Sequence, residues 1–261
     1  MKTFSLRPIA SSLRAKARSL TAACPPSRPL RPAIARWNAA TATAFAAASV
    51  VLLPPAAHAG GRPLTVDDAG INAPGEGEVE AWWEGTRRSR GMFVIAPSYT
   101  AAALPGLELD AALARDRDGR STMQGASVKW LWTLQPEGEG CNAASSAGVT
   151  RLRHDGSART GVLNLIGTCM ASWGAAHGNL GMARAPHDKW QPTWGLALEG
   201  AAGLLGESQV TPMIETFGMR HGPTTVQTGL RWAWSAHWHV DGTIGRRRGD
   251  TVLSVGLRRG F

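Results

Sequence analysis

The chain has 261 residues, 43% of them hydrophobic, and a formal net charge of +9. The basic excess is local: Lys2, Arg7, Arg14, Lys16, Arg18, Arg28, Arg31 and Arg36 precede the first acid, and taking these 8 from 28 bases leaves 20 against 19 acids. The remainder, at +1, has no surplus of positive charge to draw it to nucleic acid.

Residues 1–59 read as an export leader. An apolar run, Ala39 to Leu53, follows the basic stretch and closes on Pro54-Pro55 and Ala57-His58-Ala59, a small-x-small cleavage site of secretory type. Cleavage after Ala59 is expected. A mitochondrial transit peptide shares the acid-free composition but would be amphipathic, and a retained anchor would need a span of ~20 apolar residues. Cys24 leaves with the leader, so Cys141 and Cys169 remain, in a compartment where a disulfide persists. Residues 60–76 then read as a short periplasmic arm. Within it Asp67-Asp68, just before Gly70, suits turn or docking chemistry, with a plug at the barrel mouth or an ion site as alternatives.

From Gly77 onward the chain breaks into twelve short alternating segments: Gly77 to Thr86, Gly91 to Tyr99, Gly106 to Arg115, Met123 to Gln135, Ala147 to Arg153, Gly161 to Cys169, Ala175 to Arg184, Trp190 to Glu199, Val210 to Arg220, Thr225 to Trp234, His237 to Arg246 and Asp250 to Phe261. Turn signals such as His154-Asp155-Gly156 and His221-Gly222-Pro223 separate them. Val226, Thr228, Leu230, Trp232 and Trp234 oppose Gln227, Gly229, Arg231 and Ala233; Leu107, Leu109, Ala111 and Leu113 oppose Glu108 and Asp110. Strands of about ten residues with one apolar face fit a soluble sandwich or, with the faces inverted, a transmembrane barrel. Tryptophans near strand ends, the even strand number and a last strand that closes on Phe261 favour the barrel. The expected fold is therefore all-β: a transmembrane antiparallel β-barrel of about 12 strands, with 10 to 14 admissible, over residues 77–261.

The segments Arg62-Pro63-Leu64-Thr65-Val66-Asp67-Asp68-Ala69-Gly70, Gly75 to Trp83, Ala126 to Leu134, Gly178 to Gly181, Trp194 to Glu199, Gly229-Leu230-Arg231, Val240-Asp241-Gly242 and the terminal Phe261 resemble the outer-membrane barrel family grouped with the meta-cleavage phenol-degradation pathway protein. The resemblance spans nearly the whole mature chain. It implies a bacterial outer-membrane location, a transporter role and, through Phe261, an assembly signal read by the barrel-assembly machinery.

If the apolar faces meet lipid, the lumen receives Glu78, Glu80, Glu84, Glu108, Asp110, Lys129, Arg151, Arg153, Glu199, Glu215, Arg231, His237, His239, Asp241 and Arg258. Both signs are present, so these charges pair or keep water. About twelve strands lie between the filled eight-stranded barrel and the open sixteen-stranded porin, which favours a narrow or partly occluded lumen. His237-x-His239-x-Asp241 offers two imidazoles and a carboxylate on one strand face, but zinc takes three or four ligands with a second shell. Ser235 beside His237 lies in a row and forms no triad. Neither a metal, a cofactor nor a catalytic site is therefore assigned.

With the amino terminus in the periplasm, Cys141 and Cys169 fall on one side of the membrane and are expected to be oxidised together. Arg87, Arg88, Arg90, Arg246, Arg247 and Arg248, with Arg115, Arg117, Arg120, Arg184, Lys189 and Arg220, fall at outward loops, whereas the opposite turns carry Glu137, Glu139 and Glu207. The first six are candidate contacts to lipopolysaccharide phosphates, to which Arg offers bidentate hydrogen bonds. The expected function is passive passage of a small, apolar or aromatic solute through the outer membrane, without a chemical step. A closed structural or adhesive barrel that binds lipopolysaccharide is the first alternative and an outer-membrane lipid-modifying enzyme the second.

Overall fold

A computed structural model describes residues 64–87, 89–117, 121–133, 138–153, 159–185, 188–206 and 209–261. The leader expected over 1–59 lies outside the described residues, as do Arg88, Arg120, Glu137 and Glu207. Twelve antiparallel strands form a closed barrel: β1 Gly77–Thr86, β2 Met92–Thr100, β3 Leu107–Asp116, β4 Thr122–Leu131, β5 Gly140–Leu152, β6 Arg159–Ala171, β7 Gly174–Arg184, β8 Gln191–Gly200, β9 Val210–Met219, β10 Thr225–Ala233, β11 Trp238–Arg247 and β12 Asp250–Gly260. Each strand pairs with its sequence neighbours. The ring closes where β1 meets β12, in register from Glu78 opposite Gly260 to Thr86 opposite Val252. Closure leaves no unpaired sheet edge, which is the condition for spanning hydrocarbon with strands.

Alternation sets the two walls. On β12, Val252, Ser254, Gly256 and Arg258 are buried while Leu253, Val255 and Leu257 are exposed; on β3, Glu108 and Ala114 are buried while Leu109, Ala111 and Leu113 are exposed. The exposed side is apolar because it faces lipid, and the buried side is the lumen. The start of β1 and the end of β12 meet one rim. There Tyr99, Trp130, Trp132, Trp173, Trp232, Trp234 and Phe261 stay exposed around the barrel, and Trp234 stacks on Trp238 with ring centroids 5.8 Å apart. Such a girdle marks a membrane–water interface. Arg115, Arg151, Arg159, Arg184 and Arg246 instead stand on the outer wall near the far rim. These features make the protein an outer-membrane β-barrel.

Three strands differ from the sequence reading by more than one residue, the sixth only by running two residues further at each end, Arg159–Ala171 against Gly161 to Cys169. The fourth strand ends at Leu131 and not at Gln135, and the fifth starts at Gly140 instead of Ala147. The stretch Ala143-Ala144-Ser145-Ser146 has little apolar alternation of its own, and it is strand because β4 and β6 pair with it on both sides. Cys141 is consequently a strand residue opposite Cys169. The two form a disulfide with Cα atoms 4.0 Å apart.

Candidate functional site

The lumen is occupied by the chain's own amino-terminal segment. Residues 64–72 run inside the barrel wall, nearer to the plug named as an alternative for Asp67-Asp68 than to the periplasmic arm expected over 60–76. The segment enters from the terminal rim, where Gly75 N–H bonds Thr100 C=O at 2.7 Å and Thr100 N–H bonds Glu76 C=O at 3.0 Å. An extended chain inside a barrel has no ladder for its N–H groups, so wall side chains must accept them. Asn72 N–H and Nδ2 both donate to Glu108 Oε2 at 2.7 Å, and Nδ2 reaches Ser98 Oγ at 2.8 Å. Deeper, Ala69 N–H donates to Thr168 Oγ1 at 2.8 Å. Gly70 N–H is bonded by Asp68 Oδ1 at 2.7 Å, so the second aspartate is a local turn residue. Asp67 is clamped by one amide: its N–H donates to Asn179 Oδ1 at 2.6 Å and its C=O accepts from Asn179 Nδ2 at 3.0 Å. Thr65 and Val66 N–H both donate to Glu215, at 2.9 and 2.7 Å. Glu215 is itself 2% exposed and bonded by Gln227 Nε2.

Packing fixes the same path. Leu64 and Val66 bury against Ala197 and Met213 with Phe217 alongside, while Ala69, fully buried, sits among Ala144, Ile166 and Leu131. Segment and wall approach closely at Gly195, where a Cβ would stand 2.7 Å from Val66 Cγ2. Lys129, 3% exposed, joins the two by charge: Nζ is 2.9 Å from Asp67 Oδ1 and 3.9 Å from Asp68 Oδ1. A relay backs Ala69. Having accepted its N–H, Thr168 Oγ1 lies 3.0 Å from His177 Nδ1; His177 Nε2 is 4.0 Å from Glu199, which Arg231 holds through both nitrogens at 3.2 Å. Glu78 pairs with Arg258, and Asp110 accepts from Ser127 at 3.1 Å.

Of the residues assigned to the lumen, Glu78, Glu80, Glu84, Glu108, Asp110, Lys129, Glu199, Glu215, Arg231, His239, Asp241 and Arg258 stand on the inner face. Three do not. Arg151 points outward, because the inner face of β5 is the series Asn142, Ala144, Ser146, Gly148 and Thr150. Arg153 lies beyond the end of β5 and His237 in the turn before β11, both exposed. These three were assigned to the lumen on their charge, and charge fails as a guide near the rims, where the wall leaves the hydrocarbon. His237 is thereby separated from buried His239 and Asp241, and among the described residues no three ligating side chains converge. Gly256 gives Asp241 its room: a Cβ there would meet both carboxylate oxygens at 2.8 Å.

The wall residues that hold the segment, Asn179, Thr168, His177, Gln227 and Ser98, and Asn72 of the segment itself, were not singled out. The signal was available for the β7 pair, since strict alternation puts His177 and Asn179 on the face opposite Leu180. Of the loop arginines, Arg87 and Arg246 line one hollow of about 350 Å³ together with Asp250, whereas Arg247 falls on the inner face opposite Asp250 and Arg248 occupies the β11–β12 turn at φ 50°.

Among solved structures the chain is similar to the KdgM porin, with TM-score 0.57 at 12% identity over 70% of this chain and 99% of that one, and the same likeness holds for KdgM in complex with disordered oligogalacturonate. It is also similar to the Acinetobacter baumannii outer membrane protein Omp33, with TM-score 0.47 at 8% identity over 71% of this chain and 98% of that one. At these identities the likeness is one of fold. No curated protein matches the chain. The comparisons support the outer-membrane barrel and do not support the meta-cleavage grouping that the short motifs suggested. A family model described as uncharacterised conserved protein UCP029691 matches residues 48–252, well over half of the chain, and the protein belongs to that family.

Proposed function

We propose that the protein is a porin-like outer-membrane channel whose lumen is closed by its own residues 64–72, and which conducts when that segment is displaced. The observation that carries this is the set of bonds from segment to wall: backbone N–H groups of Thr65, Val66, Asp67, Ala69 and Asn72 all end on lumenal side chains, not on a ladder. Such bonds hold a removable strap, because releasing it breaks no strand pairing. The solute is small and uncharged, with apolar or aromatic character. Carboxylates outnumber cationic side chains on the inner face, which disfavours an anionic oligosaccharide of the kind named for KdgM. Toward the far rim the inner wall turns to Val94, Ala114, Trp82 and Val252. The terminal rim faces the periplasm and the far loops face lipopolysaccharide.

The test is single-channel conductance of the mature protein against a variant lacking residues 60–72, with heat-dependent gel mobility as the check that each is folded. The variant is expected to conduct at a higher level and to admit small neutral solutes faster than anionic oligosaccharides into liposomes. Equal conductance in two folded proteins would instead make this a closed structural barrel.

A further inference from the structure

The outer wall from β3 to β7 carries an organised feature that channel function does not use. The ladders arrange its outward side chains in rows. In one row Arg151 of β5 stands directly opposite Arg159 of β6, both exposed, with Arg184 of β7 in the next row opposite Gly161. Like charges directly opposed across a strand pair are destabilising. Among the described residues no carboxylate bonds to either member: Arg151 reaches only the neutral Gln124 Oε1, at 3.4 Å. The arrangement is complete once an anion lies between the two guanidinium groups.

Further along the same strands, from the middle of the wall toward the terminal girdle at Trp130, lies an apolar groove of about 570 Å³. Val128 and Trp130 of β4 wall one side, Leu163 and Leu165 of β6 the other, and the small Ser145 and Ala147 of β5 form its floor. Along β5 the floor leads to the arginine pair: Ala147, Val149 and Arg151 are successive outward positions, so the charge stands about 14 Å beyond the groove at ~3.4 Å per residue. Trp190 lies over Gly161 at the boundary between them, where a Cβ would be 3.0 Å from its ring. Tryptophan at that level is what a headgroup boundary selects.

We propose that this wall binds one lipopolysaccharide molecule, with a lipid A phosphate between Arg151 and Arg159 and an acyl chain in the groove over Ser145 and Ala147. Guanidinium groups suit phosphate because each can offer two parallel N–H donors. The proposal rests on the outward orientation of the far loops given above. It moves the lipid contact away from the Arg87 and Arg246 hollow, where Asp250 already supplies a negative charge.

The experiment measures the stabilisation of folded, purified protein in neutral detergent by bis-phosphorylated lipid A, by dephosphorylated lipid A and by phosphatidylglycerol. Phosphorylated lipid A is expected to stabilise most. The double substitution R151Q/R159Q should weaken its apparent affinity about tenfold or more. Filling the groove with S145L/A147L should weaken both forms of lipid A, and R87Q/R246Q should weaken neither. Unchanged affinity in either of the first two variants would overturn the site, as would equal stabilisation by phosphatidylglycerol or a loss confined to R87Q/R246Q. Orientation is read separately, by labelling His221→Cys in intact cells with a membrane-impermeant maleimide, and conductance in neutral-lipid bilayers. A failed lipid site is thereby told apart from an inverted barrel or a closed channel.

Discussion

At the scale of single residues, the lumen is organised by side chains that stand in for a missing strand partner. Glu215 accepts two successive backbone N–H groups, and Asn179 meets both the N–H and the C=O of Asp67, as a ladder residue would. Lys129 answers the charge of Asp67 and Asp68, so that neither carboxylate enters the barrel uncompensated. Wall and segment leave no room for a Cβ at Gly195, which makes that glycine a sensitive position. Gly195→Val is expected to push Val66 off the wall at a cost of about 1–3 kcal/mol, and to raise channel conductance while leaving the barrel folded. Gly178→Val serves as its control, because a Cβ there meets only Leu196 on the outer wall at an ordinary 3.7 Å. Conductance unchanged in the first variant, or raised equally in both, would count against the segment as the closure. Much of this was out of reach of the sequence. The Asp-Asp-Ala-Gly run read as turn chemistry, and Asp68 does bond Gly70, but nothing local shows that Asp67 meets a lysine 62 positions away.

At the scale of elements, strand identity was legible wherever apolar and polar residues alternated. The first strand, Gly77–Thr86, has the expected bounds, and β2, β3 and β7 to β12 fall within a residue of them. The failures are instructive. Half of β5 lacks alternation and is held as strand by its neighbours, and in β1 the period of two sends Trp82 inward, opposite Gly256, while Trp83 stands opposite outward Val255. The seam between β1 and β12 carries the next expectation. Phe261 extends that ladder by two bonds, from its N–H to Gly77 C=O at 2.9 Å and from Gly77 N–H to its C=O at 3.0 Å, and its ring lies over Gly77. Deleting Phe261 removes these bonds from the pairing that closes the ring. The fraction of protein recovered as folded barrel from membranes should fall, with normal stability in the molecules that do assemble. An undiminished fraction would show that the terminal residue is dispensable.

At the scale of the whole molecule, a closed ring of ladders predicts that folded protein resists cold SDS and migrates faster unheated than boiled, since no edge offers detergent a starting point. A single mobility at both temperatures would contradict the barrel. The architecture was readable because alternation, an even strand number and the aromatic rim all follow from the membrane as solvent; what fills the lumen depends on contacts between distant residues and was not. The strap joined to β1 by the short connection Ala73 to Glu76 has a further consequence. It is a ligand that cannot diffuse away, present at its own site at an effective concentration in the mM range for so short a tether. If the strap opens as proposed, closure is independent of how much protein the membrane holds, each barrel resets itself after opening, and any free peptide or solute that competes for Glu215, Asn179 and Lys129 must outbid a partner that is always at hand.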